Sequence, residues 1–507
     1  MNSLPLLSLL VLAPWAGALI LAALPGISAK TARDTALVFS LSTLLLSLIA
    51  LAGFNPAASG YQFEEHHAWI RALNVHYRLG LDGMSLLLVL LTAIVSPLAL
   101  AAAARDARDA RLLGLLFLTL QGSALGVFLA LDFFHWFIFW ELSLVPAFFL
   151  IKLWGGPGAG PAAYQFVIYT IAGSAFMLLA FAALYASTGT LDFSELARLG
   201  ASGGLAAQLG PKAILAVFLG VFIGLAVKVP LFPFHTWLPP AYAEAPVGVS
   251  MFLTGVMSKM GVYGFLRILW PLFPVQLHDC AGPLLWLALG GVVLGAFAAI
   301  KQTDLKRMIA YSSVNHLSYC LLALFAVAAA SKPNAAANAA AFSGTLLQMF
   351  NHGLSAAALF FCVGVLEKRS GGQRGLNQFG GVRTAAPIFA GFCGIAMFSS
   401  LGLPGLNGFV GEFLIFLGVF GLAPWAAAIA CLGLLATAIF LLTFWQRVFH
   451  GPRAGAATGA FADLDHPELL TLLPLVALMA LFGVLPHLLT GLINPLVTTW
   501  ATALPLP

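Results

Sequence analysis

Charge is what this sequence has least of. Asp, Glu, Lys and Arg together make up 8% of its 507 residues, against roughly 25% in an ordinary globular chain. With 61% hydrophobic residues and a mean hydropathy of +0.99, a soluble enzyme or binding domain is excluded. Polar linkers long enough to hold a second domain are lacking too. Cysteine is sparse: Cys280, Cys320, Cys362, Cys393 and Cys431 are scattered, with no C-x-x-C and no Cys/His ligand spacing. Iron–sulfur, zinc and disulfide frameworks are thereby excluded. The chain also lacks a nicotinamide-nucleotide fingerprint, a phosphate loop and haem ligands, so no cofactor and no metal is expected on it. No Lys or Arg precedes the first apolar run, so that run is expected to be a membrane span and not a cleaved signal peptide. The modest basic excess is explained by how it is distributed along the chain, and nucleic acid is not an expected partner.

What the chain does have is apolar windows of about 20 residues, the length that spans a bilayer as a helix. Fourteen are expected: 4–24, 36–53, 83–103, 112–130, 133–153, 162–186, 212–239 (broken), 246–270, 282–300, 305–328, 341–366, 386–422 (broken), 424–446 and 468–489. The fold class is therefore an all-α polytopic membrane protein, one integral membrane domain. Its parts are helices 1–3 (residues 1–111), a first five-helix unit (112–270), a second (282–446) and a C-terminal helix 14 (447–507). Loops after odd-numbered spans hold fifteen of the 23 Lys and Arg residues and the opposite loops six, among them Arg267. Basic loops stay on the cytoplasmic side, so both termini are expected to face away from it. The same asymmetry makes residues 386–422 one crossing interrupted at GLPGLNG (402–408), because two crossings would move Arg447 and Arg453 to the wrong side.

The two charges left over are Lys228 and Lys259, inside membrane-length apolar sequence. A lysine at mid-bilayer costs roughly 2.5–3.5 kcal/mol on insertion scales, so stability alone does not explain them. Between them, Pro230, Pro233, Pro239 and Pro240 interrupt the helix, which is tolerated only where protein or a water-filled cavity satisfies the freed backbone groups. Six spans each place one titratable group near mid-depth: Glu141, Lys228, Lys259, His316, His352 and Glu412. Blander roles exist for each: an interhelical hydrogen bond for the histidines, snorkelling for Lys228, salt-bridge partnership for the glutamates. Four buried charges together cost on the order of 10 kcal/mol, which favours a functional set. The broken spans, seventh and twelfth, stand five apart, so spans 4–8 and 9–13 form two five-helix units of opposite orientation, a transporter architecture. A solute carrier or a polytopic membrane enzyme is the reading from another class; His235 and Glu244 in HTWLPPAYAE (235–244) are its only catalytic candidates.

Four stretches carry a family resemblance: FWELSLVPAFFLIKLWGG (139–156), KVPLFPFHTWLPPAYAEAPVGVSMFLTGVMSKMGVYG (228–264), KQTDLKRMIAYSSVNH (301–316) and LPGLNGFVGEFLIF (403–416). Together they resemble the antiporter-like membrane subunits of respiratory complex I, NADH:quinone oxidoreductase, and their relatives. The resemblance implies a proton-translocating subunit in a bacterial inner membrane. Its functional positions would be Glu141 paired with Lys228, a connecting Lys259 and a terminal Glu412, with His235, His316 and His352 in family-like segments. Some subunits of the family carry lysine where this chain has Glu412; Lys301 falls outside the pattern and is taken as an interfacial charge. Implied partners are neighbouring antiporter-like subunits, lipids and a peripheral redox arm holding the flavin and iron–sulfur clusters. A cation/proton antiporter or a membrane-hydrogenase subunit is the alternative within the family.

Overall fold

A computed structural model describes residues 4–105, 107–332, 334–455 and 461–502. Its crossing helices follow the apolar windows: α1 (Leu6–Ala23), α2 (Ala29–Gly53), α3 (Gly83–Ala104), α4 (Ala110–Leu129), α5 (Phe133–Trp154), α6 (Ala159–Thr188), α7 (Pro211–Lys228), α8 (Val247–Leu272), α9 (Pro274–Ile300), α10 (Leu305–Ala328) and α11 (Ala335–Arg369). Two shorter apolar helices come next, α12a (Pro387–Ser400) and α12b (Asn407–Leu422), and then α13 (Pro424–Phe449) and α14 (His466–Val484). A further helix, α15 (His487–Thr502), ends the described chain. Of the expected 447–507 section, residues 456–460 and 503–507 lie outside the described residues.

The helical fold class holds, with two small β additions, the lesser a two-residue antiparallel pairing of Phe379–Gly380 with Ala454–Gly455. Gln62–Ile70 (β1) and Val75–Leu81 (β2) form an antiparallel hairpin, Glu65 opposite Leu79 and His67 opposite Tyr77. Its side chains secure helix ends: Glu65 accepts from the Leu7 and Ser8 amides at the start of α1, two of the donors that a helix N-terminus leaves unsatisfied.

Contacts between loops fix how the chain alternates. On one face, Arg374, after α11, pairs with Glu244, after α7, and with Asp304, after α9, each at 2.6 Å. Arg105, after α3, pairs with Asp465, the N-cap of α14, and holds that carboxyl below its usual range. On the other face, Arg78 of the hairpin pairs with Glu64 at 3.0 Å and with Asp192, after α6. The interrupted segment runs from one face to the other. Asp463 caps α12a through the Ile388 and Phe389 amides while its carbonyl accepts from Arg369 at the end of α11. At the far end, Asn334, the N-cap of α11, donates to the Gly421 carbonyl of α12b. The chain between Pro387 and Leu422 therefore travels the length of α11 once. Arg267, assigned to a loop from sequence, lies instead within α8. It is buried because every side of it is paired: Asp82 at 2.7 Å, and Tyr61, Tyr263 and Ser85 each at 3.1 Å.

α8, α10 and α11 form the centre. Nearly every residue in their most apolar stretches is enclosed by protein, whereas α2 and α14 face outward over most of theirs. A polar side chain on a central helix meets other helices and not lipid, which is where intramembrane ionisable groups are found.

Candidate functional site

Three distortions of the backbone position the site. α5 kinks at Ser143, because Pro146 has no N–H for the Leu142 carbonyl; Glu141 sits just before that kink. α7 stops at Lys228, two residues before Pro230, and the Trp237 indole donates to the Val227 carbonyl at 2.9 Å. That bond satisfies one of the carbonyls which a helix end exposes. α8 widens into π-helical turns at Leu253–Met257 and Phe265–Leu269, on either side of Lys259, a local distortion frequent at functional sites.

Lys228 is enclosed, its ammonium 3.5 Å from Ser143 Oγ and 5.0 Å from the centre of the Trp140 ring. It does not snorkel. Glu141, one residue from Trp140, has Oε1 buried without a hydrogen-bond partner among the described residues. Among the described residues no salt bridge joins it to Lys228, although the two lie near enough to interact electrostatically.

The other four groups form two contacting pairs whose histidine rings lie side by side. Lys259, fully buried, donates from Nζ to the Thr254 carbonyl and meets His352 Nδ1 at 2.8 Å. The His352 and His316 rings stand 5.2 Å apart, centre to centre. His316 Nδ1 is 3.0 Å from Glu412 Oε1. Each residue comes from a different helix: α8, α11, α10 and α12b. None is more than 5% exposed. The other carboxylate oxygen of Glu412 faces the break, because a Cβ on Gly402 would lie 2.7 Å from Oε2. Gly402 has φ +77°, a conformation that glycine adopts without strain.

His235 lies apart. Its ring stacks on Phe232 and faces Tyr311, and Nδ1 has no partner among the described residues. Glu244, its companion in the enzyme alternative, is fully engaged by Arg374 and the Gly158 amide. Burial opposes its ionisation, but those partners prevail and hold the carboxyl below its usual range. Among the described residues no group of three His, Cys, Asp or Glu is arranged to hold a metal.

Neutral polar residues complete the site, and sequence reasoning passed over them. Gln348 lies between His316 and Glu412. Asn351 pins the break to α11: its amide donates to the Asn407 carbonyl at 2.7 Å, and Asn407 donates back to Asn351 Oδ1 at 3.1 Å. The signal available was spacing. Gln348 and His352, four residues apart, share one helix face.

Comparison with known proteins agrees with this geometry. The family described as NADH:quinone oxidoreductase/Mrp antiporter, transmembrane, matches residues 130–439. NADH-quinone oxidoreductase subunit M of Rhodobacter capsulatus is 38% identical over 501 residues, 97% of this chain and 95% of that protein. The subunit of the same name from Mycobacterium tuberculosis is 36% identical over 540 residues, 99% and 95% of the two chains. A chain in the structure of respiratory complex I from Thermus thermophilus with bound NADH superposes with a TM-score of 0.85 at 31% identity, covering 98% of this chain and 100% of that one. This chain belongs to the NADH:quinone oxidoreductase/Mrp antiporter family of membrane subunits.

Proposed function

We propose that the chain is a proton-translocating membrane-arm subunit of an NADH:quinone oxidoreductase, and that protons move through Lys259, His352, His316 and Glu412. The observation that carries this is proximity: titratable groups from four helices meet in two pairs at 2.8 and 3.0 Å, and the imidazoles of the two pairs stand 5.2 Å apart, centre to centre. An imidazole takes a proton on one nitrogen and releases one from the other near neutral pH. A buried group's charged form is disfavoured by desolvation and favoured by a nearby opposite charge. Each transfer therefore changes the next site's readiness.

Glu141 and Lys228 are the upstream pair in this proposal. They act on one another electrostatically, and Lys228 supplies Lys259 through water at the α7 break. His235, in that break, assists access. Glu412 is the terminal site, beside the α12 break. Moving one charge against 100 mV costs roughly 2.3 kcal/mol. That energy comes from redox chemistry in partner subunits, a peripheral arm with flavin and iron–sulfur clusters acting through neighbouring antiporter-like subunits. This chain is proposed to carry no cofactor of its own. Residues 112–270 and 282–446 are proposed as inverted five-helix units, flanked by 1–111 and 447–507, in the bacterial inner membrane. The face bearing Arg105 and Arg374 is cytoplasmic, and both termini are periplasmic.

Purification in mild detergent, followed by NADH-driven proton uptake into inverted vesicles, tests the assignment. An NADH-oxidising iron–sulfur arm should co-purify, and pumping should depend on this chain. Co-purification with a hydrogenase, or with no partner at all, contradicts it.

A further inference from the structure

The carboxamide of Gln348 sits where the proposed route ends, and no titratable role explains it. Gln348 is enclosed on α11, one turn before His352. Its Nε2 lies 3.3 Å from His316 Nδ1 and 3.4 Å from Glu412 Oε1, which are themselves 3.0 Å apart. The nitrogen therefore closes a triangle with the two groups that exchange a proton. Its Oε1 has no hydrogen-bond partner among the described residues, so the amide's orientation is set by what its N–H groups face. Turning it over would bring Oε1 against a carboxylate oxygen and an imidazole lone pair.

The two N–H bonds of one amide meet three proton states. With a proton on His316 Nδ1, the ring donates to the Glu412 carboxylate and Gln348 donates to the same oxygen. With the proton on Glu412, the carboxyl donates to the empty Nδ1 and fills its one lone pair, and Gln348 donates to the carboxyl oxygen alone. Once the proton has left, carboxylate and lone pair face one another at 3.0 Å with no hydrogen between them. Only Gln348 then offers both a donor.

We propose that Gln348 is a positioning residue for proton release, holding the empty His316–Glu412 pair together by donating to both members. This rests on Glu412 being a proton site. Removing the donor favours the protonated pair and shifts release toward higher pH. At 3.3 and 3.4 Å these bonds are long, so losing them should move release by about half to one pH unit. The other titratable groups around the pair are Lys259 on α8, His352 on α11, Tyr319 and Cys320 on α10 and, beyond Tyr319, Cys431 on α13. The variants leave all of them in place.

The test is the pH profile of NADH-driven pumping by the intact complex, with both vesicle faces at the same pH, for wild type, Gln348→Met, Gln348→Glu and Glu412→Ala. Gln348→Met keeps the bulk and removes the donor; both limbs of its profile should move up by about half to one pH unit. Gln348→Glu keeps the shape and adds an acid, so its shift should be at least as large; it carries the test alone if the methionine variant fails to assemble. Lower pumping at every pH without a shift means a packing role and overturns the proposal, as does an unshifted profile. If Gln348 variants are unshifted while Glu412→Ala loses pumping, the Gln348 role fails and the site stands. If Glu412→Ala pumps normally, both fail.

Discussion

Gly411→Ala should separate α12b from α11 and break the proton route while the protein still folds. A methyl group at 411 would lie 2.6 Å from Gln348 Oε1 and 3.0 Å from the Gln348 Cα and N atoms. The side-chain oxygen can swing away, but the backbone atoms cannot. Non-bonded carbon atoms settle at about 3.5–4.0 Å, so α12b has to retreat from α11 by about 0.5 Å or more. Glu412 is the next residue, and its contacts have no such slack. The Gln348 contact on α11 is already long at 3.4 Å and the His316 contact on α10 is 3.0 Å, while good N–H···O bonds end near about 3.2 Å. The retreat therefore loses the first and draws Glu412 off the second. Overpacking of this kind costs about 1–3 kcal/mol, small beside the packing of a helix enclosed along one whole face. The assay is NADH-driven pumping in inverted vesicles, normalised to assembled complex on native gels. Gly411→Ala should lose most of its pumping at near-normal assembly. Gly391→Ala on α12a is the control: its methyl would meet nothing within 4 Å, and it should pump as wild type. Equal pumping by the two variants would refute the argument that close approach of α12b holds the site together.

Glu141→Gln and Lys228→Ala should each reduce pumping severely with assembly intact. If the two act as one unit, the double variant should lose far less than the product of the single losses; a multiplicative loss assigns them separate roles. Glu244→Gln should weaken the basic-face clamp by about 1 kcal/mol, discounted for partial exposure. Because the folded Glu244 carboxyl lies below its reference value of 4.5, the stabilisation is present above that value and fades as pH falls through the lowered one. Thermal unfolding of purified complex should thus distinguish wild type from Glu244→Gln at pH 7 and cease to do so in strong acid; an equal difference at both contradicts the pairing. A reporter active only in the cytoplasm, fused after Pro507, should be silent, and activity from it would reverse the proposed orientation.

The spans were legible because a bilayer-length apolar run has few other uses, and the buried charges were legible because they interrupt such runs. Helix ends were less so. α2 begins at Ala29, capped by Ser28, seven residues before the apolar window expected at 36, since Lys30, Arg33 and Asp34 lie on its first turns and outside any hydropathy criterion. The hairpin at 62–81 escaped because its alternation is too polar to register as a span and too short to suggest a domain. His316, His352, Lys259 and Glu412 could be named individually from sequence. Their adjacency could not, because it depends on how α8, α10, α11 and α12b pack. Gln348 was missed for a related reason: an uncharged amide in a membrane helix stands out only once its neighbours are known.

Proton pumping by substitutions at Glu412 tests most directly whether this run conducts protons. Glu412 contacts His316 and Gln348 and faces the break at Gly402, so it should need a titratable group more than a particular sign of charge. In inverted vesicles, normalised to assembled complex, Glu412→Asp and Glu412→Lys should retain measurable pumping, and Glu412→Ala and Glu412→Gln should lose most of it. A structural anion would behave otherwise, tolerating glutamine better than a reversed charge buried beside His316. Full pumping by Glu412→Ala would remove Glu412 from the route, and with it the claim that protons cross from Lys259 through the two histidines to α12b.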